Sequence, residues 1–595
     1  MSISVSASEL KVPQAESGRT FHWLASLGLV LLTGLAFLNG LSAPFYLDDQ
    51  QLLERNPAIR TLKGAVSIPT PRRVGMLSFA LNYQVHRLSP AGYRVVNIAI
   101  HATAGLLLFG LVRRSLLLPD DSRDAVAGAS TGSTLASHSL VLASVAAAVW
   151  LVHPLQTGSV TYVIQRFESL MGMLYLATLY CLLRGATTTS ESAVVRWAWY
   201  GAGLLAAFLG AETKEVMVTV PVVALAYDRI FLARDWRSLV RLRGAWHALL
   251  WLIAGWILWQ TRAAIAGEQT VSAGLGTKGM TAWTYLSSQA GVLLHYLKLS
   301  FWPQQLCLDY QWPIAQSPWD IYPQGAVIVL LLVLTVVALF RAPRLGFLGF
   351  AFFTILAPTS SVLPIADLAF EHRMYLPLAC VVPLTVVGFT SLVQSLLPDP
   401  AARRRVLVSF AGVVLVLLIG RTVARNRDYV DPIRMWNSVL AVTPRSYRAH
   451  NQLGLQYEKR GDLARAEHHF LETLRIRPNA WWVDIGLGNL RIRQDRWEDA
   501  EQHFQNALRH PAATSLACAN LARLRELQER WREAADLYQR AVDKDPSFLD
   551  AWQALAAVQL RLGDTQSAAS AYESILARDP RSAKAREGLS KLRTR

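Results

Sequence analysis

The sequence predicts an all-α protein in two parts, a polytopic membrane domain of about eleven transmembrane helices followed by a soluble α-solenoid. Composition is the first sign: the 595 residues are 52% hydrophobic and 17% charged, below the roughly 25% charge of soluble domains, with a mean hydropathy of +0.26. The second is a series of apolar runs of spanning length from Trp23 to Gly420. The third is a 34-residue recurrence of small and aromatic positions after residue 447. The expected boundaries are a cytoplasmic N-terminal tail over 1–22, a membrane domain over 23–425, a linker over 426–446 and the solenoid over 447–595.

Residues 1 to 20 are polar, and Trp23 to Gly40 is apolar and long enough to span. A signal-peptidase site is poor here, because Leu41-Ser42-Ala43 puts Leu at the minus-three position and Pro44 follows. The stretch is therefore read as an uncleaved first helix. Further spans are expected at about 95–112, 135–152, 169–184, 195–211, 216–233, 245–263, 325–340, 345–358, 374–397 and 405–420. With the N-terminus inside, Arg113, Arg114, Arg184, Arg229, Arg234, Arg237, Arg241, Arg243, Arg341, Arg344, Arg403, Arg404 and Arg405 all fall in cytoplasmic segments, the positive-inside pattern. That count requires Thr281 to Trp302 not to cross, and its Ser287, Ser288, Gln289, His295 and Lys298 suit an interfacial or re-entrant helix. The C-terminal part then lies outside the cytoplasm.

The net charge of +17 would suit nucleic acid, but the arginines flank apolar runs instead of forming one basic face, and topology accounts for them. Cys181, Cys307, Cys380 and Cys518 are far apart, with neither CxxC nor zinc spacing. No metal site or cofactor follows. In the C-terminal part Ala466, Ala500, Ala534 and Ala568 recur every 34 residues, as do Phe470, Phe504, Tyr538 and Tyr572. This is the period of the tetratricopeptide repeat, giving four helix pairs over 447–582 with Ala583 to Leu592 as a capping helix. Such a solenoid offers a concave face for protein or peptide, or serves as a spacer.

The chemistry-bearing residues gather on the outer side. Asp48 and Asp49 follow the first span; one of them caps a short helix, or they form an acid–base centre. Arg72 and Arg73, His153 before Pro154, Arg166 and Glu168, Lys214 and Glu215, and Glu371, His372 and Arg373 border later spans on the same face. Singly, each has a structural role as cap, pair or snorkelling anchor. Together they suit a cavity in which Arg72, Arg73, Arg166, Lys214 and Arg373 neutralise a lipid phosphate and Asp48 takes the proton of an incoming hydroxyl. No phosphate loop, HExxH or GxSxG occurs.

The collinear stretches FYLDDQQLLERNP, SFALNYQVHRLSPAGYRVVNIAIHA, VHPLQTGSVTYVIQRFESL, ETKEVMVTVPVVALAYD, YLKLSFWPQQLCLDYQW and LPIADLAFEHRMYLP, followed by the repeats, resemble the TMTC-type protein O-mannosyltransferases and their bacterial relatives, enzymes of the GT-C fold. The resemblance implies a polyprenyl- or dolichyl-phosphate-linked sugar donor, an inverting transfer and catalysis on the lumenal or periplasmic side; with only four repeats the acceptor type is not carried over from the family, and the expectation of a protein acceptor held by the repeats, in a bacterial inner membrane, is this chain's own. The resemblance maps the family's acidic pair onto Asp48 and Asp49, expected to be catalytic, and its other motifs onto His153-Pro154, Lys214-Glu215 and the Glu371, His372 and Arg373 stretch; with Arg72, Arg73, Arg166 and Glu168 from the charge pattern, these are expected to bind donor or substrate. The family's adjacent Glu and Arg are separated here by His372, which leaves open whether Glu371 or His372 takes that role. A non-enzymatic scaffold of a cell-envelope complex is the other class, but an anchor needs one span. A transporter would want polar residues at the bilayer midplane.

Overall fold

A computed structural model describes residues 18–68, 70–119, 136–188, 193–265, 280–579 and 582–593. Residues 1–17 of the expected tail lie outside this range. Among the described residues the regular elements are helical, and the chain divides into two compact units, Met1–Asp431 and Pro432–Arg595.

The first unit begins with α1 (Gly18–Phe37), followed by a short irregular stretch that carries Asp48 and Asp49. Next come α2 (Leu62–Ser67), α3 (Arg73–His86) and α4 (Pro90–Leu117). Pro90 opens α4 at a position where the missing N–H costs nothing. The helices α5 (Ser139–Val152) and α6 (Thr157–Val160) meet at a 51° bend in which Pro154 removes a helical donor. Helices α7 (Arg166–Thr187), α8 (Ala193–Ala211), α9 (Val220–Tyr227), α10 (Trp236–Ile265) and α11 (Ala282–Phe301) continue the unit. It closes with α12 (Pro318–Arg341), α13 (Pro343–Leu356), α14 (Leu378–Leu396) and α15 (Pro400–Val430).

Seven of these helices are long and apolar enough to cross a membrane, or eight if the bent 139–160 pair is one span; the chain is an integral membrane protein. Three of the eleven expected spans fall outside this set. The 216–233 run is broken into 3₁₀, α and π pieces, with Pro221 at the first junction. Helix α10 carries Arg237, Arg241, Arg243, His247 and Arg262, and α13 has only 14 residues. The α11 stretch, expected not to cross, is also not among the passing helices.

The second unit holds the solenoid: α16 (Pro432–Val442), then the pairs α17 (Tyr447–Lys459) with α18 (Leu463–Ile476), α19 (Trp481–Arg493) with α20 (Trp497–Leu508), α21 (Thr514–Leu527) with α22 (Trp531–Lys544) and α23 (Leu549–Arg561) with α24 (Thr565–Arg578), and α25 (Ala583–Arg593). The repeating Ala466, Ala500, Ala534 and Ala568 are wholly buried, as are Phe470 and Phe504. The glycines before them follow from this packing, because a Cβ on Gly454 would stand 2.5 Å from the Phe470 ring and one on Gly488 2.3 Å from Phe504. The reading of 426–446 as a linker is corrected. Its residues continue α15 and then form α16, which packs on α17, and Trp436, 34 residues before Phe470, is buried in the same register.

Candidate active site

The stretch after α1 is a tight turn whose centre is Asp49. Its backbone N–H donates to the Tyr46 carbonyl at 2.7 Å. Its carboxylate accepts the Tyr46 N–H at 3.0 Å and, across 115 residues, the Ile164 N–H at 2.7 Å. The side chain is wholly buried, and burial pushes its pKa up to about 7 against the pull of those two bonds and of Arg94. Leu47, one residue before Asp48, has φ +38°, a region that costs a non-glycine residue energy and that persists only where surrounding contacts fix it. The Asp49 bonds and Arg94 supply that fixing. Arg94 is 1% exposed and donates to the carbonyls of Thr161 at 2.9 Å, Pro44 at 2.7 Å and Ala43.

Asp48 faces the other way. It is exposed, its N–H donates to the Tyr162 hydroxyl at 3.2 Å, and it lies within electrostatic reach of Arg72. Arg72 makes a two-pronged contact with Glu215, Nε to Oε1 at 3.0 Å and Nη2 to Oε2 at 3.1 Å, and its guanidinium stands 5.4 Å from the centre of the Phe167 ring. Lys214 Nζ is 2.5 Å from Glu168, and Arg73 is 3.2 Å from Glu212. Burial lowers the Lys214 pKa while Glu168 opposes that. His372 is held well below its ordinary range by burial and by Lys214, Arg373 and Arg72; it is a neutral imidazole among cations.

These contacts bring together Asp48, Arg72, Glu168, Lys214, Glu215 and His372. Between Glu371 and His372, the histidine faces the cations. Glu371 points elsewhere, accepting the Tyr310 hydroxyl at 2.8 Å and the Cys307 N–H, and burial raises its pKa against the attraction of Arg425. Three other candidates are committed to bonds within the protein. Arg166 is wholly buried, donating to Asn97 Oδ1 at 2.6 Å, Asn82 Oδ1 at 2.7 Å and the Tyr93 and Ser78 carbonyls, with its guanidinium 4.5 Å from the Phe79 ring centre. His153 accepts the Leu155 N–H and meets the Ser300 carbonyl at 3.2 Å, which fixes the 51° bend. Arg373 donates to the carbonyls of Leu368 at 2.7 Å, Asp367 at 2.8 Å and Thr359 at 3.3 Å. In this structure the polar atoms of Arg166, His153 and Arg373 are taken up by the walls of the site.

The cavity beside Glu168, Thr359 and Arg373 is about 10 Å³, room for about one water. Among the described residues no group of three or more His, Cys, Asp or Glu is arranged to hold a metal. Arg94, Asn97, Tyr162 and Asn426 do much of the positioning; the sequence places Arg94 and Asn97 among the polar residues at the entry to the second span, without a role in the site, and does not mark the other two. The signal for two of them was present, since Arg94, Asn97 and His101 fall on one stripe of an otherwise apolar helix. Asn426 gave none: it bonds Thr161 Oγ1 at 2.7 Å and the Ala36 carbonyl at 2.9 Å, partners hundreds of residues away.

Tetratricopeptide-repeat family profiles match residues 417–480, 485–548 and 527–592. A protein O-mannosyl-transferase of Caenorhabditis elegans is 24% identical over 499 residues, covering 78% of this chain and 64% of that protein. The protein O-mannosyl-transferase Tmtc3 of Drosophila melanogaster is 23% identical over 481 residues, 72% of this chain and 51% of its own length. The human protein O-mannosyl-transferase TMTC2 is 27% identical over 220 residues, 34% of this chain and 23% of its own. The chain thus matches less than two thirds of the length of these relatives, and its resemblance to the TMTC-type proteins runs through most of its length. Among solved structures, ArnT from Cupriavidus metallidurans bound to undecaprenyl phosphate aligns with a TM-score of 0.35 at 13% identity, over 74% of this chain and 81% of that one.

Proposed function

We propose that the chain is a membrane glycosyltransferase that moves a sugar, mannose by the names of its relatives, from a polyprenyl-phosphate donor to a hydroxyl of a protein acceptor, with the repeats binding the acceptor. The observation that carries this reading is the division of labour between adjacent carboxylates: Asp49 is buried and fixes the turn, whereas Asp48 is exposed beside Arg72. In this reading Asp48 accepts the acceptor's hydroxyl proton as that oxygen bonds to C1 of the sugar. The C1–O bond to phosphate breaks, its electron pair leaves with the phosphate, and the configuration at C1 inverts. Arg72, Arg73 and Lys214 stabilise the departing dianion, with Arg72 and Lys214 exchanging Glu215 and Glu168 for phosphate oxygens. Neutral His372 donates a hydrogen bond without adding charge. In this reading the 216–233 segment, α10 and α13 cross as well, and the positive-inside count over eleven crossings puts the active face and the repeats on the periplasmic side of a bacterial inner membrane. The test is the purified protein with a panel of polyprenyl-phosphate sugars and hydroxyl-bearing peptides, reading polyprenyl phosphate released and peptide glycosylated. A folded protein that turns over none of them overturns the proposal.

A further inference from the structure

Glu212 follows α8 directly, is 5% exposed and meets donors from three side chains. Its Oε1 accepts the Trp256 indole N–H at 2.7 Å and the Gln260 amide N–H at 2.8 Å, both from α10, while its Oε2 faces Arg73 Nη1 at 3.2 Å. Its backbone carbonyl accepts the Val74 N–H at 2.9 Å, which gives the start of α3 a partner for one of its free N–H groups. Glu215 and Glu168, which pair with Arg72 and Lys214, lack such an anchor: among the described residues no second side chain donates a hydrogen bond to either. Three cations and three carboxylates thus pair off one to one, and one of the carboxylates is fixed from another helix.

That anchor decides what happens when Arg73 turns to a phosphate. The Arg73 side chain is 42% exposed and free to move, whereas Glu212 stays in place, because the two α10 donors hold Oε1 and keep the buried carboxylate from being stranded. Its Oε2 then remains aimed at the place Arg73 has left. Charge gives this arrangement a consequence. A sugar phosphodiester carries one negative charge, and the phosphate monoester released from it carries about −1.5 to −2 at pH 7. Arg72, Arg73 and Lys214 therefore attract the product more strongly than the donor, and tight product binding slows turnover. A fixed anion that draws one cation back opposes this.

We propose that Glu212 is a positioning residue that competes with the polyprenyl phosphate product for Arg73 and so sets the release of that product. The proposal rests on the transferase reading for the identity of its ligand, and it is read in binding instead of turnover, so that the two fail separately: a wild type that binds undecaprenyl phosphate and transfers no sugar overturns the transferase reading alone. The experiment is equilibrium binding to the full chain in lipid nanodiscs, followed by native mass spectrometry. The probe is undecaprenyl phosphate, and the control is undecaprenol, the same lipid without its phosphate. The wild type should prefer the phosphate. Glu212→Gln keeps an oxygen for Trp256 and Gln260 and removes the charge that competes for Arg73. It should tighten undecaprenyl phosphate binding about fivefold, the worth of one partly exposed ion pair, and leave undecaprenol binding unchanged. The gain should shrink or vanish in an Arg73→Gln background, since the two residues act as a pair. Asp235→Asn, which removes an exposed negative charge just before the opposite end of α10, should change nothing. The gain in Glu212→Gln is the informative result, since misfolding does not produce tighter binding of a charged headgroup. No preference for the phosphate in the wild type, unchanged or weaker binding by Glu212→Gln, a gain of equal size without Arg73, or the same gain in Asp235→Asn would overturn the proposal.

Discussion

The two units deal with buried polarity in opposite ways. In the membrane unit each buried charge has its own solution: Arg94 binds the carbonyls of the 41–44 turn, Arg166 ties α7 to Asn82 and Asn97, and Asp49 reaches Ile164. None of these arrangements repeats. In the solenoid one solution recurs: the Arg491–Glu467 pair returns 34 residues on as Arg525–Glu501, each arginine also bonded to a glutamine three residues later. A bilayer interior supplies no water for an imperfect bond, so the membrane unit's polar groups must be met one by one. A repeat stacked on its neighbour can copy the same interface. Loss of a polar group should therefore be local and mild in the solenoid and severe in the membrane unit, unless the group faces the substrate.

Asp48 is that exception, and its loss carries the largest expected effect. Asp48→Asn should lower sugar transfer about 100- to 10,000-fold, the usual cost of a missing general base, while the thermal unfolding midpoint stays at the wild-type value because the side chain is exposed. A variant that unfolds at lower temperature would place Asp48 with the structural carboxylates and erase the contrast with Asp49.

Arg166 tests the other side of the comparison. Replacing it with Met keeps the length but strands the Asn97, Asn82, Tyr93 and Ser78 oxygens it now serves. The cost should be about 3–5 kcal/mol of stability, read as loss of folded protein in detergent. A folded, stable Arg166→Met that had lost only donor affinity would return this arginine to the substrate-binding set.

The same contrast explains what was legible in the residue string. The solenoid was readable because Ala466 and Phe470 announce themselves four times at one period, and even its missed first helix carries the signal in Trp436. In the membrane unit the carboxylate pair and the Arg72, Lys214, Glu168 and Glu215 group were legible as charges on one face. What stayed hidden was which charge points inward. Arg72 and Arg166 are the same residue type beside similar apolar runs, yet one is 37% exposed and the other wholly buried, and contacts such as Tyr46 to the Tyr429 carbonyl span 383 residues.

Asp49 gives a prediction in pH. Its folded pKa of about 7 lies above the ordinary aspartate value of about 4, so between those values the folded protein holds a proton that the unfolded chain has shed. The stabilisation is complete below about pH 4 and is lost as pH rises through about 7. Between pH 5 and 8 the wild type should lose on the order of 3 kcal/mol from this group, and Asp49→Asn, which cannot ionise, should lack that slope. An identical slope in the variant would mean that the burial of Asp49 is not what couples the turn to pH.

The smallest effect concerns the solenoid's own repetition. The turn joining the two helices of each pair uses a left-handed residue at the same position four times: Gly461 at φ +80°, Asp495 at +56°, Glu529 at +57° and Gly563 at +82°. A Cβ in that conformation costs about 1–2 kcal/mol, whereas glycine gives back about 0.5–1 kcal/mol through the greater freedom of the unfolded chain. Glu529→Gly should therefore stabilise the repeats by about 0.5–1 kcal/mol, and Gly563→Ala should destabilise them by a similar amount. The glutamate side chain adds little to this balance, because it is exposed and makes no ion pair among the described residues. Thermal unfolding followed by circular dichroism reads both changes. If Glu529→Gly destabilises the protein instead, the third turn is held by contacts of its own, and the solenoid shares at that point the one-off character of the membrane unit.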